Sequence, residues 1–146
     1  MHAVLFTDGG ARGNPGPAGI GVVLMDTSGE VLGEIADPIG TATNNVAEYK
    51  ALIAGLELAL DRGVTDLEVR ADSELVVQQV QGNWKIKNEA LRGLAARAQG
   101  LSSKFERFTI RHVRRADNAR ADELANVAMD SVSSESDSFE QGTFDP

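Results

Sequence analysis

The hydrophobic periodicity of the chain first turns from strand-like to helical near Asn45, and this change constrains the fold more than any other feature of the sequence. Ahead of it, residues 2–7, 20–25 and 31–35 are short apolar or alternating runs that predict three strands. The glycine- and proline-rich segment GGARGNPGPAG separates the first two, and Thr27-Ser28-Gly29-Glu30 turns the second into the third, so an antiparallel meander is expected. Beyond it, Val46, Tyr49, Leu52, Ile53, Leu56, Ala59 and Leu60 recur at three and four residues, which predicts an amphipathic helix from Asn45 to near Gly63. A strand through Leu67 and Val69 stops at Ala71-Asp72, and a short helix through Leu75, Val76, Gln79 and Val80 closes at Gly82. Residues 90–101 predict another helix, 108–113 a last strand and 119–129 a last helix. The order βββαβααβα implies an α/β fold in which a five-stranded mixed sheet, three strands antiparallel and two parallel, is flanked by helices.

A chain of 146 residues forms one domain with a core large enough to stand without disulfides or a structural metal. The absence of cysteine excludes a thiolate nucleophile and any Cys-ligated zinc or iron–sulfur site. The apolar run before Thr7 is too short for a signal peptide or a membrane span, so a soluble, cytoplasmic protein is expected. The net charge of −8 conceals a strong polarity. Residues 1–84 carry 12 acids and 4 bases, whereas residues 85–120 carry 3 acids and 10 bases. That pattern suits a carboxylate-rich metal site beside a phosphate-gripping surface, with a solvated basic helix face as the competing explanation. Residues 1–130 form the expected domain, and the acidic, serine-rich residues 131–146 a disordered tail without catalytic role.

Four acids stand at the ends of predicted elements. Asp8 ends the first strand, Glu48 lies in the first turn of the long helix, Asp72 follows the next strand and Asp122 opens the last helix. Any one of them reads equally as a capping or surface acid. Should the first and fourth strands be neighbours, however, Asp8 and Asp72 leave the sheet side by side, within reach of Glu48 and Asp122. Such a cluster repels itself unless a cation fills it, and oxygen ligation favours Mg²⁺ or Mn²⁺. Two such ions can clamp the attacking and leaving oxygens of a phosphodiester.

The runs FTDGGARGNPGPAGIGVVL, TNNVAEYKALIAGLELA, ADSELVV and NARADELAN, in this order over about residues 1–130, resemble type 1 ribonuclease H. The resemblance implies the ribonuclease H fold and an endonuclease that cuts the RNA strand of an RNA–DNA hybrid, leaving a 5′-phosphate and a 3′-hydroxyl. It implies that Asp8, Glu48, Asp72 and Asp122 are the metal-binding carboxylates for two Mg²⁺ ions, with Mn²⁺ as a substitute. Asn14, Asn44 and Asn45 fall where the family contacts 2′-hydroxyls and minor-groove edges. Each also has a local explanation: Asn14-Pro15-Gly16 is a good turn, and Asn44 or Asn45 a good N-cap. Gly9 and Gly10 would let backbone N–H groups approach the nucleic acid, or else serve a turn that needs positive φ. Thr43, Trp84, Lys85 and Lys87 are candidates for holding the DNA strand's phosphates, although a lone Trp is usually core.

Two departures from the family stand out. GNWKIKNEALRGL is short where better-studied members carry a longer basic handle, so weaker hybrid binding is expected, with Arg92 and Arg97 compensating in part. The family often places a mobile His before its last metal-binding Asp, but His112 falls inside the last predicted strand. Arg114 and Arg115 occupy the following loop, and Arg115 is the expected auxiliary residue, able to clamp a phosphate without transferring a proton. The alternative to a nuclease is a non-catalytic hybrid-binding scaffold, which would be expected to lose a carboxylate. A resolvase or transposase core would have no particular use for the asparagines beside Glu48. An NTPase phosphate loop is excluded because GARGNPGPAG leads into a strand and lacks the Gly-Lys-Ser/Thr ending. No long apolar stripe calls for a dimer, so a monomer is expected.

Overall fold

In the computed structural model the backbone is described over residues 1–144 and side chains through residue 131. Of the tail expected over residues 131–146, the side chains beyond Ser131 lie outside the described residues, and the backbone through Phe144 continues α4. Five strands, β1 (His2–Ala11), β2 (Gly16–Asp26), β3 (Val31–Ala42), β4 (Asp66–Ala71) and β5 (Arg107–His112), form one sheet in the order β3-β2-β1-β4-β5. The pairs β3–β2 and β2–β1 are antiparallel, and β1–β4 and β4–β5 parallel, the mixed sheet that the element order implies. The helices are α1 (Asn44–Asp61), α2 (Glu74–Val80), α3 (Glu89–Ser102) and α4 (Ala119–Phe144), with a short 3-10 helix over Arg115–Asn118 leading into α4. Among the described residues no helix is long and apolar enough to cross a membrane.

The alternation of β2 explains why both faces of the sheet are covered. Val22 and Leu24 join the main core with Leu5, Tyr49, Leu52, Leu56 and Val69. Val23, pointing the other way, packs with Ala121 and Leu124 of α4.

The segment GGARGNPGPAG is mostly strand, contrary to its reading as a loop. The β1–β2 ladder continues through Asp8↔Gly21 to Ala11↔Ala18, leaving only residues 12–15 to turn. Gly13, at φ +98°, serves the turn, whereas the strand glycines serve close approach. A Cβ on Gly9 would lie 2.2 Å from the Ala47 carbonyl oxygen of α1, and one on Gly21 2.0 Å from that of Ala121 in α4. The turn explanation for Gly9 and Gly10 is thereby overturned, since neither adopts positive φ. Similarly, β3 runs to Ala42 where residue 35 was the expected end; Pro38 is tolerated because β3 is an edge strand.

Thr43, and neither Asn44 nor Asn45, caps α1: its Oγ1 accepts from the Val46 N–H at 3.2 Å. With α1 starting at Asn44, Glu48 belongs to its second turn, one turn later than expected. Gly82, at φ +83°, closes α2 as the sequence suggests. Residues 81–88 then lead directly to α3, with no additional helix between them.

Candidate active site

The parallel register of β1 and β4 positions the first two acids. Thr7 pairs with Ala71, so Asp8 and Asp72 are the next residues on neighbouring strands. β4 ends there and Ser73 caps α2, accepting from the Val76 N–H. Glu48 arrives from α1, where the missing Cβ of Gly9 lets the helix backbone come close, and the Gly9 N–H donates to Glu48 Oε1 at 2.9 Å. Carboxylate oxygens of Asp8, Glu48 and Asp72 consequently all lie within 4.8 Å of one another.

Three acids so close in a partly buried site disfavour simultaneous ionisation. Burial, and then the charges of Glu48 and Asp72, push the Asp8 carboxyl up to about 10. Burial also raises Glu48, to about 7, against the opposing pull of the Gly9 N–H. A divalent cation would relieve this repulsion, and an all-carboxylate donor set suits a hard ion. Asp122, in the first turn of α4, stands just outside the trio but close enough to raise Asp8 further. Its Oδ1 is 3.6 Å from Arg115 Nε. Arg115 also lowers Glu48.

These groups line a cleft of about 530 Å³ together with Gly9, Gly10, Asn44 and Asn45. Asn14 lies outside that lining but supports it: its Oδ1 accepts from the Asn44 N–H at 3.0 Å, while Asn44 Oδ1 accepts from the Ala11 N–H at 2.9 Å. Neither bond uses the carboxamide donors. Thr43 is absent from the lining, and its hydroxyl oxygen is engaged as the helix cap. Trp84, Lys85 and Lys87 are likewise apart from the cleft, on the α2–α3 connection, and Trp84 is 45% exposed, not core. His112 ends β5 in an exposed position, away from the cleft lining.

Arg12, Ser73, Asn126 and Met129 also line the cleft and were not singled out from sequence. Arg12 Nη2 donates to Asn126 Oδ1 at 3.0 Å and to Asp130 Oδ1 at 2.9 Å, tying the β1–β2 turn to α4. Asn126 was findable, since it lies four residues after Asp122 on the same helical face. Asn118 was not: the fully buried amide donates to the Thr7 carbonyl at 2.9 Å, next to Asp8, from a segment that reads as an ordinary turn.

Comparison with known proteins agrees with this architecture. A family model described as "Reverse transcriptase-like" matches residues 6–128. The protein named Ribonuclease HI from Halobacterium salinarum is 50% identical over 130 residues, which cover 89% of this chain and 64% of that protein. The Bifunctional protein Rv2228c of Mycobacterium tuberculosis is 50% identical over 133 residues, 90% of this chain and 36% of its own length. The chain thus spans from about a third to just under two thirds of these relatives. Among solved structures, RNase H1 of Halobacterium salinarum superposes with a TM-score of 0.88 at 48% identity, covering 90% of this chain and 99% of that one. LC11-RNase H1, solved in complex with an RNA/DNA hybrid, gives 0.84 at 46% identity over 88% of this chain and 97% of that one.

Proposed function

This chain belongs to the ribonuclease H family, and on that premise we propose that it is a metal-dependent endoribonuclease that hydrolyses the RNA strand of RNA–DNA hybrids. The observation that carries this reading is the intact trio of Asp8, Glu48 and Asp72, with Asp122 beside it, in a cleft whose walls also present Asn44 and Asn45. A hybrid-binding scaffold has no use for three carboxylates held against their own repulsion.

The donor set fits two divalent cations, Mg²⁺ or Mn²⁺, held by Asp8, Glu48, Asp72 and Asp122. Bound there, the ions supply charge neutralisation and polarisation of the attacking water and the leaving 3′-oxygen, giving 5′-phosphate and 3′-hydroxyl ends. The chain's own groups do the rest. The Gly9 N–H fixes one oxygen of Glu48, which leaves the other to face the ions or a substrate hydroxyl. Asn44 and Asn45 offer carboxamide donors, and Gly9 and Gly10 a backbone without side chains, to 2′-hydroxyls and minor-groove edges. Asn14 holds Asn44 in place. Arg115, 80% exposed beside Asp122, clamps the scissile phosphate or the departing end as a fixed positive charge. Trp84, Lys85 and Lys87 grip the DNA strand, with Thr43 contributing mainly by starting α1 in the right place. Among the described residues, the exposed large apolar side chains (Met1, Val31, Trp84, Val127) lie on separate segments, which supports a monomer, and we assign the protein to the cytoplasm.

The test is cleavage of end-labelled hybrid, RNA duplex and DNA duplex under Mg²⁺, Mn²⁺ and chelator, with the product ends mapped. Cation-dependent cutting confined to the RNA strand of the hybrid is expected. Hybrid binding without cutting under either cation would restore the scaffold reading.

A further inference from the structure

A buried polar chain connects α1, one residue past Glu48, to the exposed α2–α3 connection. Tyr49 follows Glu48 in α1 and is fully buried, and Gln79, 5% exposed, sits on the helix that begins two residues after Asp72. The Tyr49 hydroxyl donates to Gln79 Oε1 at 2.7 Å, and Gln79 Nε2 donates to the Lys85 carbonyl at 3.3 Å. The orientation of the amide is forced, since a backbone carbonyl can only accept and must therefore face the nitrogen.

An apolar pair would pack α1 against α2 at lower desolvation cost, so burying these polar groups asks for a reason. The reason lies in what the chain holds. Residues 82–88 contain no helix or strand, yet they are tied down repeatedly. The Asn83 and Trp84 N–H groups donate to the Gln78 carbonyl at 2.9 and 3.3 Å, and Arg92 Nε donates to the Ile86 carbonyl at 2.7 Å. Gln79 supplies the tie between these two, and it is the one that reaches back to α1. The connection presents an exposed Trp84 with the exposed Lys85 and Lys87, a flat aromatic face beside two cations, as a nucleic-acid backbone and its bases require.

We propose that Gln79 is a positioning residue for substrate: with Tyr49 it forms a buried strut that sets Trp84 and Lys85 at a fixed place relative to Glu48 and Asp72. This inference rests on the hybrid-cleaving function proposed above. The strut does for a short connection what additional secondary structure would do for a long one. It fixes the grip before substrate arrives, so that ordering the loop costs little on binding.

Trp84 is the only tryptophan of the chain, so its fluorescence reports on the connection without any label. The experiment compares wild type, Gln79→Met and Tyr49→Phe by time-resolved anisotropy of Trp84, by urea unfolding and by hybrid cleavage, together with Trp84→Ala and its combination with Gln79→Met. Faster segmental motion of Trp84 is expected in Gln79→Met, with KM raised roughly 3- to 10-fold and kcat at saturating hybrid held within about twofold. Tyr49→Phe shifts KM the same way by less and decides the matter if Gln79→Met fails to fold. The effects of Gln79→Met and Trp84→Ala on KM are expected to be strongly non-additive, because both act through one contact. Unchanged Trp84 motion, additive effects on KM, or a loss confined to kcat would overturn the strut. Wild type that neither binds nor cuts hybrid, with Trp84 loosened in Gln79→Met all the same, would instead fell the functional reading, and the strut's substrate role with it.

Discussion

The carboxylate cleft and the α2–α3 connection lie at the two ends of α2, and they are built in opposite ways. The cleft gathers like charges on three rigid elements and raises the pKa values of Asp8 and Glu48 by burial and mutual repulsion. The connection has no regular structure of its own, carries exposed cations and a tryptophan, and is held by hydrogen bonds that are individually modest. On the function proposed, the difference separates two tasks. Chemistry on a phosphodiester needs charge density that the fold by itself does not favour and that a cation must complete, whereas gripping a strand needs only a preset shape and solvated charge. Function in the cleft therefore comes at the expense of stability, and function in the connection hardly does.

Asp8→Asn should break the comparison most visibly. It is expected to lower hybrid cleavage on the order of 10³-fold by removing a central ligand. At the same time it should raise the melting temperature of the metal-free protein by about 3–6 °C, because an amide enters the site without the proton uptake on folding that Asp8, raised to about 10, requires. Calorimetry in chelator, beside the cleavage assay, checks both halves.

The next effect is the pH dependence of metal-free stability. Glu48 takes up protons more readily folded than unfolded, its carboxyl raised from the usual 4.5 to about 7. Its favourable contribution is complete below the unfolded value and is lost as pH rises through the folded one, so urea midpoints in chelator should fall between pH 4.5 and 7. The loss attributable to Glu48 is about 3 kcal/mol, Asp8, raised from 3.8 to about 10, extends the fall above pH 7, and Mg²⁺ should restore most of it. A flat profile would mean that the acids do not repel one another in the folded chain.

The connection should respond more gently. Lys85→Ala or Lys87→Ala is expected to raise KM a few-fold at low salt and to reduce the slope of log KM against log salt by about one, with kcat unaffected. An equal fall in kcat would place these lysines nearer the chemistry than the structure does. Smallest is Thr43→Ala, expected to cost about 1 kcal/mol by uncapping α1, with Thr43→Ser restoring most of it. Urea unfolding measures that cost, and a KM change that serine does not rescue would show a substrate contact in addition.

How far these regions were legible in the sequence differs as well. The cleft was readable in outline, because the periods of 2 and 3.6 place the acids near the ends of elements, although β1 runs three residues past Asp8 and Glu48 belongs to the second turn of α1. Parallel pairing of β1 with β4, which the sequence left as a condition, then brings Asp8 beside Asp72. What failed was local. The glycine-rich run looked like a loop, since nothing in one sequence says that the backbones of α1 and α4 pass within van der Waals distance of Gly9 and Gly21. The cap fell to Thr43 because Asn14 and Ala11 engage Asn44 from outside the helix. Around the connection, Trp84 and its lysines were visible as residue types, but the Tyr49–Gln79 pair was not. Both fit the apolar stripes of their helices, and only the packing of α1 against α2 shows that their polar atoms meet.

The most direct test of the central claim, that the carboxylate cleft is a cation-completed site for hydrolysing RNA in a hybrid, is a Mg²⁺ titration of RNA-strand cleavage by wild type and Asp8→Asn, with hybrid binding followed in the same samples. The account predicts cutting that rises with Mg²⁺ in wild type and is abolished in Asp8→Asn while binding persists. Equal cutting by both proteins, or none by wild type despite tight binding, would contradict it.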